Sequence, residues 1–165
     1  MAKFIYKMQS LLNIKEKLED QAKTAFGLAK AVLNEEEAKL AEFTKKKNQY
    51  LEQKRETMAS IAPHMGEGRT VKQQLLSLHQ LEDAVKSMEY RIAEQILVVR
   101  QAEKNVQLAQ ARLENAMKER KVQEKLREHA FDEFLKEMEA ADQQEINELV
   151  TFRFGKAKER DEDDG

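Results

Sequence analysis

The chain has no cysteine and no tryptophan, one proline and five glycines, and its longest apolar run is Ile96-Leu97-Val98-Val99. Each shortage excludes something. Without cysteine there is no disulfide framework and no thiolate chemistry, which suits a reducing compartment. A four-residue apolar run is far short of the roughly 20 residues needed to cross a bilayer as a helix, so no membrane-spanning segment is expected. Few glycines, prolines and strand-favouring aromatics argue against a turn-rich sheet protein. Excess charge of one sign is missing too. With 29 Lys and Arg against 31 Asp and Glu, interspersed almost throughout, there is no basic patch for nucleic acid and no pull toward an anionic membrane. The opening Met1-Ala2-Lys3-Phe4-Ile5-Tyr6-Lys7-Met8 lacks the apolar length and small-residue cleavage site of a signal peptide.

What the chain does have is charge and period. Charged residues make up 36% of it, the profile of a long-helix or coiled-coil protein. From Val71 every seventh residue is a branched aliphatic: Val71, Leu78, Val85, Ile92, Val99, Val106, Leu113. Three places after each lies a second set, Gln74, Leu81, Met88, Gln95, Ala102, Ala109, Ala116. Such a repeat keeps a narrow apolar seam on a helix under-wound to about 3.5 residues per turn. No Gly or Pro interrupts the chain between Thr70 and Phe154. A seam of this kind buries a stripe rather than a centre, so no enclosed small-substrate pocket is expected.

The first half carries a weaker stripe. A seam can be followed through Met8, Leu11, Leu18, Ala22, Ala25, Ala29, Val32, Phe43 and Tyr50, with Leu33, Leu40 and Ile61 beside it. Lys15, Glu36, Lys39 and Lys46 fall on seam positions, where long Lys stems can cover apolar neighbours. The spacing predicts a helix over about 8–60, a break at 62–69 holding Pro63, Gly66 and Gly68, and a helix over about 70–153 opened by a Thr70/Gln73 capping box. A short break between two heptad helices makes an antiparallel hairpin. The expected fold is therefore all-α, a single coiled-coil hairpin over residues 1–155, followed by a disordered charged tail over 156–165. Pairing outward from the break sets Tyr50 near Glu82, Val32 near Val99 and Met8 near Glu124. On this register the first helix is exhausted near Gln123 to Lys125, and the second overhangs it by about 25 residues at 1.5 Å each. The heptad frame reaches Arg120 and Arg127 there, and apolar residues resume on another frame from Phe131. An exposed stripe of this size marks an interaction surface, unless it folds back or pairs with a second copy.

No catalytic constellation is visible. His64, His79 and His129 are too dispersed for a metal site or a base–nucleophile pair, and Gly66-Glu67-Gly68 lacks the rest of a phosphate loop. The chain is expected to be no enzyme, with no metal and no cofactor.

The two ends carry a family signature. Phe4-Ile5-Tyr6-Lys7-Met8-Gln9-Ser10-Leu11-Leu12-Asn13-Ile14-Lys15 resembles the opening of the flagellar export protein FliJ family, and Glu119 through Leu126, Phe131 and Glu145 is similar to its charged C-terminal helix. The resemblance implies a cytoplasmic component of the flagellar type III export apparatus, associated peripherally with the inner face of the membrane at the flagellar base. It implies a two-helix stalk whose terminal end enters the hexameric flagellar export ATPase, promotes its assembly and turnover, and links it to the export gate and to export chaperones. On that basis Phe4, Tyr6, Met8, Leu126, Phe131, Phe134, Leu135 and Met138 are candidates for the ATPase-facing end. Tyr50, Leu81 and Ala84 are candidates for the gate contact, although Tyr50 and Leu81 also fall on the expected seam. Lys46 and Ser77 stand where the family often has aromatics. The stalk of a virulence-type secretion system, and a plain coiled-coil tether or dimeric scaffold, remain open as alternatives.

Overall fold

A computed structural model describes residues 2–61, 63, 66 and 68–163, the last three by backbone only. Ala62, His64, Met65 and Glu67 of the break, and the final Asp164 and Gly165, lie outside the described residues. Two α-helices account for almost all of it, α1 (Gln9–Ile61) and α2 (Gly68–Asp163), with no strand among the described residues. The fold is all-α, two long helices in an antiparallel coiled-coil hairpin. α2 begins two residues before Thr70, which therefore lies inside its first turn instead of capping it. It also runs on through Lys156, so the charged stretch expected to be disordered is helical as far as Asp163. Lys, Glu, Arg and Ala dominate that stretch and are good helix formers. The chain forms two compact units, Gln21–Glu114 and Met1–Asp20 with Asn115–Gly165.

The first of these units is the hairpin proper. Along α2 every expected seam residue from Val71 to Leu113 is buried or half-buried, with Val85, Met88, Gln95, Val99 and Ala102 buried. Along α1 the half-buried residues are Ala22, Phe26, Ala29, Leu33, Glu36, Leu40, Phe43, Lys47, Tyr50, Lys54, Thr57 and Ile61, with Ser60 beside them. This is a strict heptad, but it corrects the expectation by one residue in half of its positions. Ala22, Ala29, Phe43 and Tyr50 lie where expected, as does Glu36. The alternate set is Phe26, Leu33, Leu40, Lys47, whereas Ala25, Val32, Lys39 and Lys46 are exposed.

Polar pairs fix the register of this unit. The buried Gln95 donates its amide to the Glu36 carboxylate at 2.5 Å and to the Glu36 carbonyl at 3.0 Å. Lys47 meets Glu89 at 3.4 Å, Lys54 meets Glu82 at 3.5 Å, and Gln74 donates to the Ser60 hydroxyl at 3.2 Å. Glu82, expected opposite Tyr50, thus bonds to Lys54 one turn further along. Each charged side chain on the seam finds a partner across it, which is how so polar a stripe can be half-buried at tolerable cost.

The second unit holds both ends of the chain. Leu12 is its most buried side chain, at 2% exposure, followed by Glu19 at 4%. Glu19 forms an ion pair with Arg120, which also binds Glu124 at 2.7 Å, and Lys15 meets Glu119 at 2.8 Å. The seam is therefore not lost at Arg120. It continues there as a buried ion pair, and the frame set by Val71 goes on through Gln123, Ala130 and Phe134, each half-buried, with only Arg127 turned out to solvent.

Candidate functional site

Residues 2–6 are not helical, and α1 starts only after a turn at Lys7 and Met8, with the Gln9 N–H donating to the Tyr6 carbonyl and the Leu12 N–H to Met8. Non-helical backbone matters here. A non-helical residue can span up to about 3.3 Å against about 1.5 Å for a helical one, and Lys3 to Lys7 reach along α2 from Ala130 to Glu137. The Phe4 ring accordingly packs edge-on to Phe131, with centroids 5.1 Å apart, and at 5.4 Å from Phe134, while Phe131 and Phe134 lie 6.5 Å apart. Such edge and offset contacts each add about 1 kcal/mol beyond simple burial. Lys3 to Lys7 line one cleft with Ala130, Glu133, Phe134 and Glu137. The stretch expected to overhang from Gln123 to Lys125 thus has an intramolecular partner as far as the level of Glu137. From Glu139 to Arg160 every residue of α2 is exposed.

The structure brings three of the eight ATPase candidates, Phe4, Phe131 and Phe134, into one cluster. Tyr6 and Met138 are half-buried. Met8, Leu126 and Leu135 remain exposed, with Ile5 at 79% exposure. The result is an aromatic clasp with an apolar rim facing water. Phe4 and Phe134 are half-buried and Phe131 is 42% exposed, so the cluster and its rim together present apolar surface to water, which marks an interaction surface. Around it the charge is mixed, with Lys3, Lys7 and Arg127 beside Glu128, Glu133 and Glu137.

The gate candidates belong to the hairpin unit. Tyr50 and Leu81 are half-buried at seam positions, and Ala84 is half-buried next to the buried Val85. Sequence reasoning missed a second set on the outer side of α2. Leu76, Tyr90 and Leu97 are 60–68% exposed and fall seven or fourteen residues apart, on the heptad position opposite the seam. That spacing was available in the sequence, but a seam search looks only for the stripe that is buried.

Among the described residues no group of three His, Cys, Asp or Glu could hold a metal ion, and no helix is long and apolar enough to cross a membrane. His79 lies 3.4 Å from Glu82 and His129 4.0 Å from Glu133, both on exposed helix faces.

Comparison with known proteins agrees with this architecture. The solved structure of CT670 from Chlamydia trachomatis, assigned there as a YscO homologue, superimposes with a TM-score of 0.79 over 95% of this chain and 99% of that one, at 18% identity. At that identity the likeness speaks for the fold alone. No curated protein matches the sequence. The sequence profile of the family described as flagellar FliJ protein does match, over residues 4–159, which takes in the aromatic opening, both seams and the exposed end of α2. Phe4, where the match begins, is the ring that closes the clasp, and the chain belongs to the FliJ family of coiled-coil proteins associated with type III flagellar export.

Proposed function

We propose that this protein is a non-enzymatic stalk of the flagellar type III export apparatus, acting in the cytoplasm at the inner face of the membrane. The unit that carries both ends engages the central opening of the hexameric export ATPase, favouring its assembly and raising its turnover. The hairpin unit contacts the cytoplasmic domain of the export gate through the neighbourhood of Tyr50, Leu81 and Ala84, and export chaperones dock on its exposed faces. The observation that carries the reading is the clasp. Phe4 folded onto Phe131 and Phe134 pre-organises an apolar rim, Ile5, Leu126 and Leu135, at the unit holding both ends. Preorganisation lowers the ordering cost of binding, as a ring that closes around its stalk requires.

The test is the turnover of the cognate export ATPase, alone and with saturating amounts of the full chain or of the L126E/L135E variant. Both substituted residues are about half exposed, so the variant should melt like the parent. Stimulation by the parent and its loss in the variant is the expected result. Equal stimulation by both proteins would refute the assignment of the rim. Absence of any effect or binding by the parent would favour a plain coiled-coil tether.

A further inference from the structure

The exposed part of α2 from Glu139 to Lys156 has a seam of its own, and that seam is self-complementary. Taken as a heptad, its inward positions are Glu139, Asp142, Ile146, Leu149, Arg153 and Lys156. All are exposed, Ile146 at 53% and Leu149 at 62%, and Val150 and Phe152 flank them, also exposed. Charge is segregated along the same stretch. Residues 132–148 hold seven carboxylates and one Lys, and residues 149–160 hold four Lys and Arg and one Glu.

We infer that this segment is a homodimerisation site, in which α2 of a second copy lies antiparallel on the 139–156 face. In an antiparallel pair each layer sets a residue of one heptad position against one of the other. One register does this for the whole segment. It puts Ile146 against Leu149 of the second copy, Asp142 against its Arg153, and Glu139 against its Lys156. The two-fold axis then repeats each layer with the roles exchanged, as a closed isologous contact demands. The result is two apolar layers flanked on both sides by two layers of opposite charge, over about 27 Å of helix. A parallel pair would set Asp142 against Asp142 and Arg153 against Arg153, so the charges select direction as well as partner. The chain already uses charge across a seam within itself, where Glu19 pairs with Arg120 and the seam residues Lys47 and Lys54 pair with Glu89 and Glu82 beside the facing seam. Lys156 Nζ lies 4.9 Å over the Phe152 ring, which flanks these layers. The face lies beyond the rim assigned to the ATPase, and the inference does not rest on that assignment.

The experiment is sedimentation equilibrium of the full-length protein from micromolar to millimolar concentration. The parent should pass reversibly from monomer to dimer. The acidic variant R153D/K156E and the basic variant E139K/D142R should each dissociate at least about tenfold more readily, because every outer layer of their homodimers is then repulsive. An equimolar mixture of the two should dimerise again, as a heterodimer in which all outer layers attract. That recovery is what a folding defect could not produce. Because the chain has no cysteine, single spin labels can report direction. A label at Asn147→Cys should find its twin alongside, and a label at Ala140→Cys should find it about 22 Å away. A parent that stays monomeric at every concentration would overturn the inference. So would association indifferent to charge reversal, a mixture that does not recover, or a short distance at position 140.

Discussion

Glu36 is a carboxylate on a helical seam, and Gln95 makes the position tolerable by donating to it at 2.5 Å. That hydrogen bond is the main reason the Glu36 carboxyl is held below the usual carboxylate range, against the opposing pull of desolvation and with Lys39 helping. Glu82 is held low in the same way, by His79 first and Lys54 second. The sign follows from linkage. A carboxyl whose folded value lies below its unfolded value stabilises the fold above the unfolded value, and the contribution is lost as pH falls through the folded one. Urea unfolding at a series of acidic pH values should therefore give a shallower loss of stability for Glu36→Gln than for the parent, with the difference in slope confined to the interval from the ordinary carboxylate value down to the lowered, folded one. Parallel curves would mean that the bond does not bias titration. A second prediction at this scale concerns Gly27, in the middle of α1 on an exposed face with nothing within 4 Å of an added Cβ. Gly27→Ala should raise stability by about 1 kcal/mol through helix propensity alone, read as a higher melting temperature. An unchanged or lower one would indicate that the chain needs flexibility there.

At the scale of the helices, the polar layers explain both how much of the fold was legible and where the reading slipped. In α2 the seam residues are mostly Val, Ile, Leu and Ala, so periodicity alone locates them from Val71 to Ala116. In α1 the apolar residues Leu11, Leu18 and Val32 offer a stripe one residue before the true one, which runs through Leu12, Glu19, Phe26 and Leu33. A pattern search weights hydrophobicity and so prefers Leu18 to Glu19. What decides for Glu19 is Arg120 across the seam, a long-range fact that no local window contains. The same pair misled the reading of α2, where Arg120 looked like the end of the seam. Among the candidate sites, the aromatic motif at the start of the chain was legible, but its clasp was not. A non-helical segment has no helical period, and its reach depends on its backbone conformation. The Glu19–Arg120 pair leads to a prediction of its own. Replacing either residue alone by Leu strands the other in a half-dry seam and should lower the melting temperature clearly, while E19L/R120L should melt at or above the parent, since an apolar layer is commonly at least as stable as a buried ion pair. A double variant less stable than both singles would mean that the pair supports more than packing.

For the whole molecule, the two units carry separable contacts in the proposed function, and separability can be measured. Ala84→Glu, in the hairpin unit, should weaken binding to the gate's cytoplasmic domain while leaving ATPase stimulation at the parent level. L126E/L135E should do the reverse. A substitution in one unit that abolished both activities in a folded protein would show that the contacts are not independent, and the picture of a stalk with two addresses would fail. Circular dichroism of each variant guards against the trivial outcome, since A84E adds bulk and charge beside the buried Val85.

The clasp also has a practical consequence for anyone who handles this protein. Because Lys3 to Lys7 line a cleft with Ala130, Phe134 and Glu137 and Phe4 lies on Phe131 and Phe134, anything joined ahead of Ala2 emerges beside the aromatic rings. An N-terminal affinity tag would act there as a tethered competitor at high effective concentration. It would mask the surface that a pull-down with the ATPase is meant to sample, and a negative result with such a fusion would report on the tag.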